Sequence, residues 1–383
     1  MQLEWTASEI TQIIEKIMKE KNKTSLSAEE ISMLLIQVLE GIGKGSKNPE
    51  DSEPGLSAGE ISNLWTQYIG DSLSICVYTY FLNFVQDQEI KEIMQIALEE
   101  SQNHISQITE IFKNANFKLP LGLTEKDVHP NTPRLFSDNF LLYYTEIMSI
   151  HGMVAYSLAI TTSGRKEIRD HFFRSATNAT KLFNKTVDLF QARGIYAASP
   201  QIPSLKKIEF VENKGIISSF FGDPRPLNAT EINNIFFNLK KSIFGKGISL
   251  AFSQVAHSEE VRHFLVKVSE TTEKHIKIFH TYLEKDNLPS PHLWDNEITN
   301  STVSPFSDKL IMYHIGFLIN SAIAYYGVGM ASTLRVDIIK AYSETIIDIM
   351  EIGNEWMTLM TKNKWLEMQP EAIDRKKLTH IKR

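Results

Sequence analysis

The chain states one pattern twice. Leu56-Ser57-Ala58-Gly59-Glu60-Ile61-Ser62-Asn63-Leu64-Trp65 returns 171 residues later as Leu227-Asn228-Ala229-Thr230-Glu231-Ile232-Asn233-Asn234-Ile235-Phe236. At the same offset Glu89 answers Glu260, Glu99 answers Glu270, and His104-Ile105 answers His275-Ile276. After a one-residue deletion the offset is 170: Phe136-Ser137-Asp138 answers Phe306-Ser307-Asp308, Tyr156 answers Tyr326, and Arg165 answers Arg335. A period this long exceeds a solenoid unit and indicates a duplicated domain. At 383 residues there is room for two bodies, each burying its own core.

The copies read as helices. Ser57-Ala58-Gly59-Glu60 and Asn228-Ala229-Thr230-Glu231 place a capping oxygen three residues before a glutamate, as do Thr6-Ala7-Ser8-Glu9 and Ser27-Ala28-Glu29-Glu30. Such pairs satisfy orphan backbone donors reciprocally, and an apolar periodic run follows each. The first two starts open a short helical pair, about 6–20 and 27–43, ahead of a polar linker. Helices are then expected at about 57–85, 88–115, 137–163 and 166–192, and again at about 228–256, 259–286, 307–333 and 336–362. Helices one and two, and three and four, are joined by very short links and form antiparallel hairpins. Asn116 to Phe136 and Asn287 to Phe306, about twenty residues each, are long enough to run back along a bundle about 40 Å in length. Two hairpins joined by one long crossover is the ferritin-like connection.

The fold class is therefore all-α: two tandem ferritin-like four-helix bundles after a short helical extension. The expected division is 1–55 for the extension and polar linker, 56–197 for the first bundle, 198–226 for a connector, 227–367 for the second bundle, and 368–383 for a basic tail. The connector carries Phe220-Phe221-Gly222-Asp223, a patch expected to pack between the bundles.

Phe136-Ser137-Asp138-Asn139, the run from Ser218 to Ala229 (Ser218-Ser219-Phe220-Phe221-Gly222-Asp223-Pro224-Arg225-Pro226-Leu227-Asn228-Ala229), and Ser301-Thr302-Val303-Ser304-Pro305-Phe306-Ser307-Asp308-Lys309 carry a resemblance. Over about residues 56 to 367 the chain resembles bacterial domain-of-unknown-function family 3231, found mainly in endospore-forming Firmicutes. The resemblance implies tandem ferritin-like bundles, brings no established activity, and suggests a link to sporulation or stress.

Composition narrows the function classes. Forty-two per cent hydrophobic and 22% charged residues describe a soluble globular protein. A net charge of −6 argues against a nucleic-acid partner. The single cysteine, Cys76, excludes an internal disulfide framework and suits a reducing cytoplasm, the expected location. Leu310 to Leu334 has the length of a membrane span, but Asn320, Ser321, Tyr325 and Tyr326, with Glu146 and His151 in the paired copy, suit a central bundle helix; no membrane span is expected.

The second helices hold the one polar feature shared by both copies. A three-four spacing places Ile90, Ile93, Ala97, Ser101, His104, Ile108 and Ile111 inward, and then Val261, Phe264, Val268, Thr272, His275, Phe279 and Tyr282. Equal axial depth brings Asp71, the region of His151, and Asn178 to the level of His104. The same count brings Ser242, Ser321 and Asp348 to the level of His275. One account is a core imidazole that sets register by bonding a serine, a tyrosine or a carbonyl. The other is a transition-metal site for iron, manganese or zinc at His104 and His275, helped by Asp71, Glu100 and Asp348. A ferritin-type dinuclear site asks for more carboxylates than converge here. Glu260-Val261-Arg262-His263 matches Glu-x-x-His in the first turn of its helix only. Asp348, Glu351 and Glu355 are spaced as an inward acidic stripe, without a counterpart in the first copy.

Arg165 and Arg335 are expected to cap or pair at tight turns, and Asp138 and Asp308 to N-cap the third helices. Tyr143, Tyr144, Tyr156, Tyr325 and Tyr326 read as core. With Phe140, Met148, Met153 and Met330 they offer a small apolar pocket. No phosphate loop, dinucleotide fingerprint or nucleophile elbow is present. No cofactor is expected beyond the metal alternative, and the balance lies against an enzyme. The first reading is a non-catalytic structural or interaction protein, its partner an unidentified protein or a second copy. The alternatives are a metal-binding or redox protein using His104 and His275, and a carrier of a small apolar ligand.

Overall fold

The computed structural model describes residues 55–208, 210 and 224–375. The expected N-terminal helical pair, the Phe220-Phe221 patch and the end of the basic tail lie outside the described residues. Contacts divide the chain into Met1–Gly55 and Leu56–Arg383, and every helix below belongs to the second unit.

Eight long helices make up the described fold: α1 Ala58–Leu82, α2 Gln88–Asn114, α3 Asp138–Thr162, α4 Lys166–Ala192, α5 Ala229–Val255, α6 Glu259–Lys285, α7 Asp308–Ser332 and α8 Val336–Lys362. The expected spans agree to within a few residues at each end. Both capping boxes form: Ser57 with Glu60, and Asn228 with Glu231. Glu60 and Glu231 are buried and do further work. Glu60 accepts from the backbone of Gly164 and Arg165, and Glu231 accepts from Thr333 and takes both guanidinium nitrogens of Arg225. Each glutamate thus ties the start of its bundle's first helix to the turn between the third and fourth, or to the chain leading in.

Helix ends follow the repeat as well. Asn116, Gly194, Asn287 and Lys364 take positive φ just past α2, α4, α6 and α8. The residue after each donates back five positions, as in Phe117 N to Phe112 O and Leu288 N to Leu283 O. These are Schellman closures, in which a left-handed residue lets orphan carbonyls be satisfied.

The N-caps of α3 and α7 are Ser137 and Ser307 rather than the aspartates that follow. Asp138 instead accepts from the backbone N–H groups of Gln86 and Asp87, and Asp308 from those of His257 and Ser258. Each carboxylate holds the turn between its bundle's first two helices, because it projects from the first helical position toward that turn.

Within each copy the helices associate as two antiparallel hairpins, α1 with α2 and α3 with α4, then α5 with α6 and α7 with α8. The crossovers do more than run back along the bundle: they pair with each other. Val128 bridges Phe306 and Phe136 bridges Ile298, with Ser307 N bonded to Asp127 O and Ser137 N to Glu297 O. The two exchanges are repeat equivalents, so the copies meet about a pseudo-twofold axis, an isologous contact inside one chain. At that axis the Tyr144 hydroxyl and His314 Nε2 are hydrogen-bonded at 3.0 Å, and these residues occupy the same position in the two copies.

The cores merge. Phe81, Phe136, Phe140, Tyr144, Phe244, Phe252 and Phe306 belong to one hydrophobic cluster that runs through both bundles, while a smaller one closes the outer end of the first bundle. The expectation of two separately buried cores is corrected accordingly: the halves share their largest aromatic contacts. Among the described residues one helix, α7, is long and apolar enough to cross a membrane by length and composition. It packs here against α5 and α8.

Candidate functional site: the polar layers and the interface between bundles

In the first bundle, α2 carries the inward row Ile90, Ile93, Ala97, Ser101, His104 and Ile108, and Phe112 takes the last buried place expected of Ile111. The His104 ring sits between two carboxylates. Nδ1 lies 3.1 Å from Asp71 Oδ2 on α1, and Nε2 lies 3.8 Å from Glu100 Oε2 one turn back on α2. Asn178 on α4 donates to the same Glu100 oxygen at 2.8 Å. Burial works against the imidazolium, but Asp71 and then Glu100 outweigh it and hold the pKa above its usual value. The expected level of Asp71, His104 and Asn178 is therefore real.

In the second bundle His275 is fully buried, and both ring nitrogens are again engaged: Nδ1 with Tyr326 Oη at 3.2 Å and Nε2 with Asp348 Oδ2 at 3.1 Å. Tyr326 is also bonded to Ser242 at 3.0 Å. Here burial outweighs the pull of Asp348 and keeps the imidazole below its usual pKa. Ser242, His275 and Asp348 meet as expected, but Tyr326 rather than Ser321 supplies the α7 member. The hydroxyls three residues ahead of the histidines are not their partners; Thr272 bonds back to Val268 O of its own helix.

Other expectations need correction. Asp348, Glu351 and Glu355 form no inward stripe: Asp348 bridges to Lys274, Glu355 to Lys267, and Glu351 is exposed. The inward positions of α8 are Ile338, Tyr342, Thr345, Ile349 and Ile352, which sets its register apart from that row. His151 is not in its own bundle's layer; it turns toward the second bundle and packs on Tyr325 with ring centroids 5.8 Å apart. His263 of Glu-x-x-His is 76% exposed beside Glu259, too open for a built site. Arg335 is held by Asp337 and by the Arg225 carbonyl, as a turn clasp. Cys76 is buried, donates to Thr124 O, and burial pushes its thiol up to about 12, so it is an inert core residue.

Three polar features were missed from sequence. His171 on α4 packs edge-on against His104 and engages Gln107 through Nδ1 and Gln67 through Nε2. Burial, then His104 and Arg174, bring its pKa down to about 3. A neutral ring donates through one nitrogen and accepts through the other, so one of the two amides presents its NH2. Its signal was the inward spacing Ile168, His171, Phe172, Ser175. The second feature is a buried ion pair between bundles, Lys240 Nζ on α5 to Glu146 Oε1 on α3 at 2.5 Å. The Lys240 ammonium also lies over the rings of Tyr196 and Tyr143. One acid beyond the first turn of the apolar α3, Glu146, and a Lys240-Lys241 doublet in the apolar α5 were the available signals. The third is Lys241 itself, taken up below.

Among the described residues no group of three or more His, Cys, Asp or Glu side chains is arranged to hold a metal ion. The reason is visible at His104, whose two carboxylates sit at opposite ring nitrogens, so one ion cannot meet both beside the ring. The cavities beside the two histidine layers are small, about 80 Å³ beside His104 and Tyr156 and about 60 Å³ beside Tyr326, while clefts of about 690 and 680 Å³ run elsewhere along α6. A carrier site was expected to need several hundred cubic ångströms, on the order of known ligand pockets.

Paired four-helix units with a histidine layer in each define an all-α protein of duplicated bundles. The chain belongs to the family described as protein of unknown function (DUF3231), matching it over residues 44–208 and again over 216–378. Among its relatives is "Uncharacterized protein YvdQ" of Bacillus subtilis (strain 168), 27% identical over 148 residues, or 36% of this chain and 85% of that protein. A solved chain from Bacillus halodurans C-125, described as a "putative spore coat protein", is 22% identical, with 41% of this chain and 100% of that one covered and a TM-score of 0.37. A likeness at that score carries no argument about this fold.

Proposed function

We propose that the protein is a non-catalytic structural or interaction protein, acting in sporulation or stress, in which the duplicated bundle is one rigid body. The observation that carries this reading is that side chains of the same chain hold each imidazole: His104 by Asp71 at 3.1 Å with Glu100 3.8 Å from its other nitrogen, and His275 by Tyr326 and Asp348. Imidazoles so occupied set helix register, the role of a satisfied buried polar network. The small cavities beside the histidine layers weigh against a carrier there, and the opposed carboxylates at His104 weigh against a metal centre. The setting rests on the family's distribution among endospore formers, and the buried thiol of Cys76 suits the cytoplasm. A protein partner, or a second copy, would meet outer faces where Phe173, Ile347 and Met350 stand exposed.

The test is thermal melting of untagged protein with and without added iron(II), manganese(II) or zinc(II), alongside His104→Leu and His275→Leu. The expected result is an unchanged melting temperature with metal and a lowered one for each variant. A saturable metal-induced rise that both variants abolish would overturn the reading in favour of a metal protein.

A further inference from the structure

The cavity beside Tyr326 is enclosed by α5, α6, α7 and α8 of the second bundle and by Ile147 and His151 of α3. Its wall is mostly apolar, yet two buried polar atoms on it have no hydrogen-bond partner: Lys241 Nζ and Asn238 Oδ1. The neighbouring Lys240 takes the Glu146 carboxylate at 2.5 Å, leaving Lys241 with only the Phe237 ring, 4.9 Å from its nitrogen. The repeat shows that this is a local departure. The position equivalent to Lys241 is Gly70, where Phe317 closes in to within 3.7 Å of an added Cβ. The position equivalent to Phe317 is Ile147, smaller and on the cavity wall. The first bundle keeps the equivalent cavity, about 80 Å³ beside Tyr156, but no amine at this position; the second, about 60 Å³ beside Tyr326, has Lys241 on its wall.

No protein atom pairs the Lys241 amine, and it faces a void, so a small molecule that enters can reach it by displacing water. We propose that Lys241 is a carbonyl-reactive lysine that takes a short-chain aliphatic aldehyde, the Nζ forming an imine with it inside this cavity. A void this size holds about two waters, or a molecule of about three or four heavy atoms. Burial brings the Lys241 amine well below the usual lysine range, the Glu146 carboxylate opposing and the Lys240 ammonium assisting. Desolvation beside a second cation is how an enzyme keeps a lysine neutral and nucleophilic. The step balances without an oxidant. The nitrogen lone pair attacks the carbonyl carbon, the oxygen takes a proton to give a carbinolamine, and loss of water leaves the carbon–nitrogen double bond. His151, which lines the same cavity and which burial keeps neutral, is placed on its wall to relay the proton.

The experiment uses the wild-type full chain at neutral pH with propionaldehyde and cyanoborohydride, which reduces the imine to a stable secondary amine, followed by peptide mapping. Lys241 is expected to be trapped about tenfold or more faster than Lys166, whose side chain is 80% exposed and paired with Asp170. Unfolding in urea is expected to erase the difference. Benzaldehyde, too large for the void, is expected to show no preference for Lys241. Trapping of Lys241 no faster than Lys166, a preference that survives unfolding, or an equal preference for benzaldehyde would each overturn the proposal.

Discussion

Replacing Glu146 by leucine removes one member of the ion pair that joins the bundles and leaves the Lys240 ammonium among Tyr143, Tyr196 and apolar side chains. Glu146 is 1% exposed and Lys240 8%, so neither charge is relieved by solvent. Breaking a pair of this kind by removing one partner costs about 3–5 kcal/mol, because an uncompensated charge stays buried. Removing both, as Glu146→Leu with Lys240→Met, deletes two desolvation penalties as well as the attraction and is expected to cost no more than about 1 kcal/mol. The Tyr143 hydroxyl, which donates to the Lys240 carbonyl at 2.6 Å, survives in the double variant because it bonds backbone. Urea unfolding followed by circular dichroism reads the difference. With a slope on the order of 3 kcal/mol per molar, the single variant should move its midpoint down by about 1–2 M and the double variant by a few tenths. The effect should persist in high salt, since a buried pair is little screened. A single variant within about 1 kcal/mol of wild type, or a double variant as unstable as the single, would refute the claim that this pair is buried and mutually dependent.

Acid should destabilise the protein below about pH 6.5, where unfolded histidines take up protons that the fold excludes. Burial holds His171 at about 3 and His314 at about 4, and lowers His151 and His275 too; each of the first two is expected to cost about 2 kcal/mol at about pH 5, read as a falling melting temperature. His104 has the opposite sign. Its raised value stabilises the fold below the unfolded pKa and loses that contribution as pH rises, so His104→Gln should hurt most in acid. Gly329→Ala would place a Cβ 2.5 Å from the Tyr342 ring, and overpacking of about 1–3 kcal/mol is expected in chemical denaturation, whereas Gly327→Ala meets open space inside α7 and should stabilise by about 0.5–1 kcal/mol. Chelation with EDTA followed by dialysis should leave the melting curve of untagged protein unchanged.

Much of this molecule could be read from periodicity. The spacing of Ile90, Ile93, Ala97, Ser101 and His104 located the buried face of α2, and counting equal depths found Asp71 opposite His104 and Asp348 opposite His275. The same method failed on α8, where Asp348, Glu351 and Glu355 share a row that lies between helices rather than inside the bundle. It failed because a helix row has no absolute direction until its neighbours are placed. His151 misled for the same reason: depth along a bundle does not say which bundle a side chain faces.

The amino-acid sequence by itself determined the duplication, the eight described helices, the capping boxes that open α1 and α5, and the depth of His104 and His275, because all of these follow from short-range hydrogen bonding and a fixed rise per residue. Only the tertiary structure decided that the crossovers pair, that Tyr144 and His314 meet at a twofold axis, and that Lys240 finds Glu146 while Lys241 finds no partner. Those contacts join residues scores of positions apart, across an interface whose geometry is set by how two bundles pack, and no local pattern encodes it.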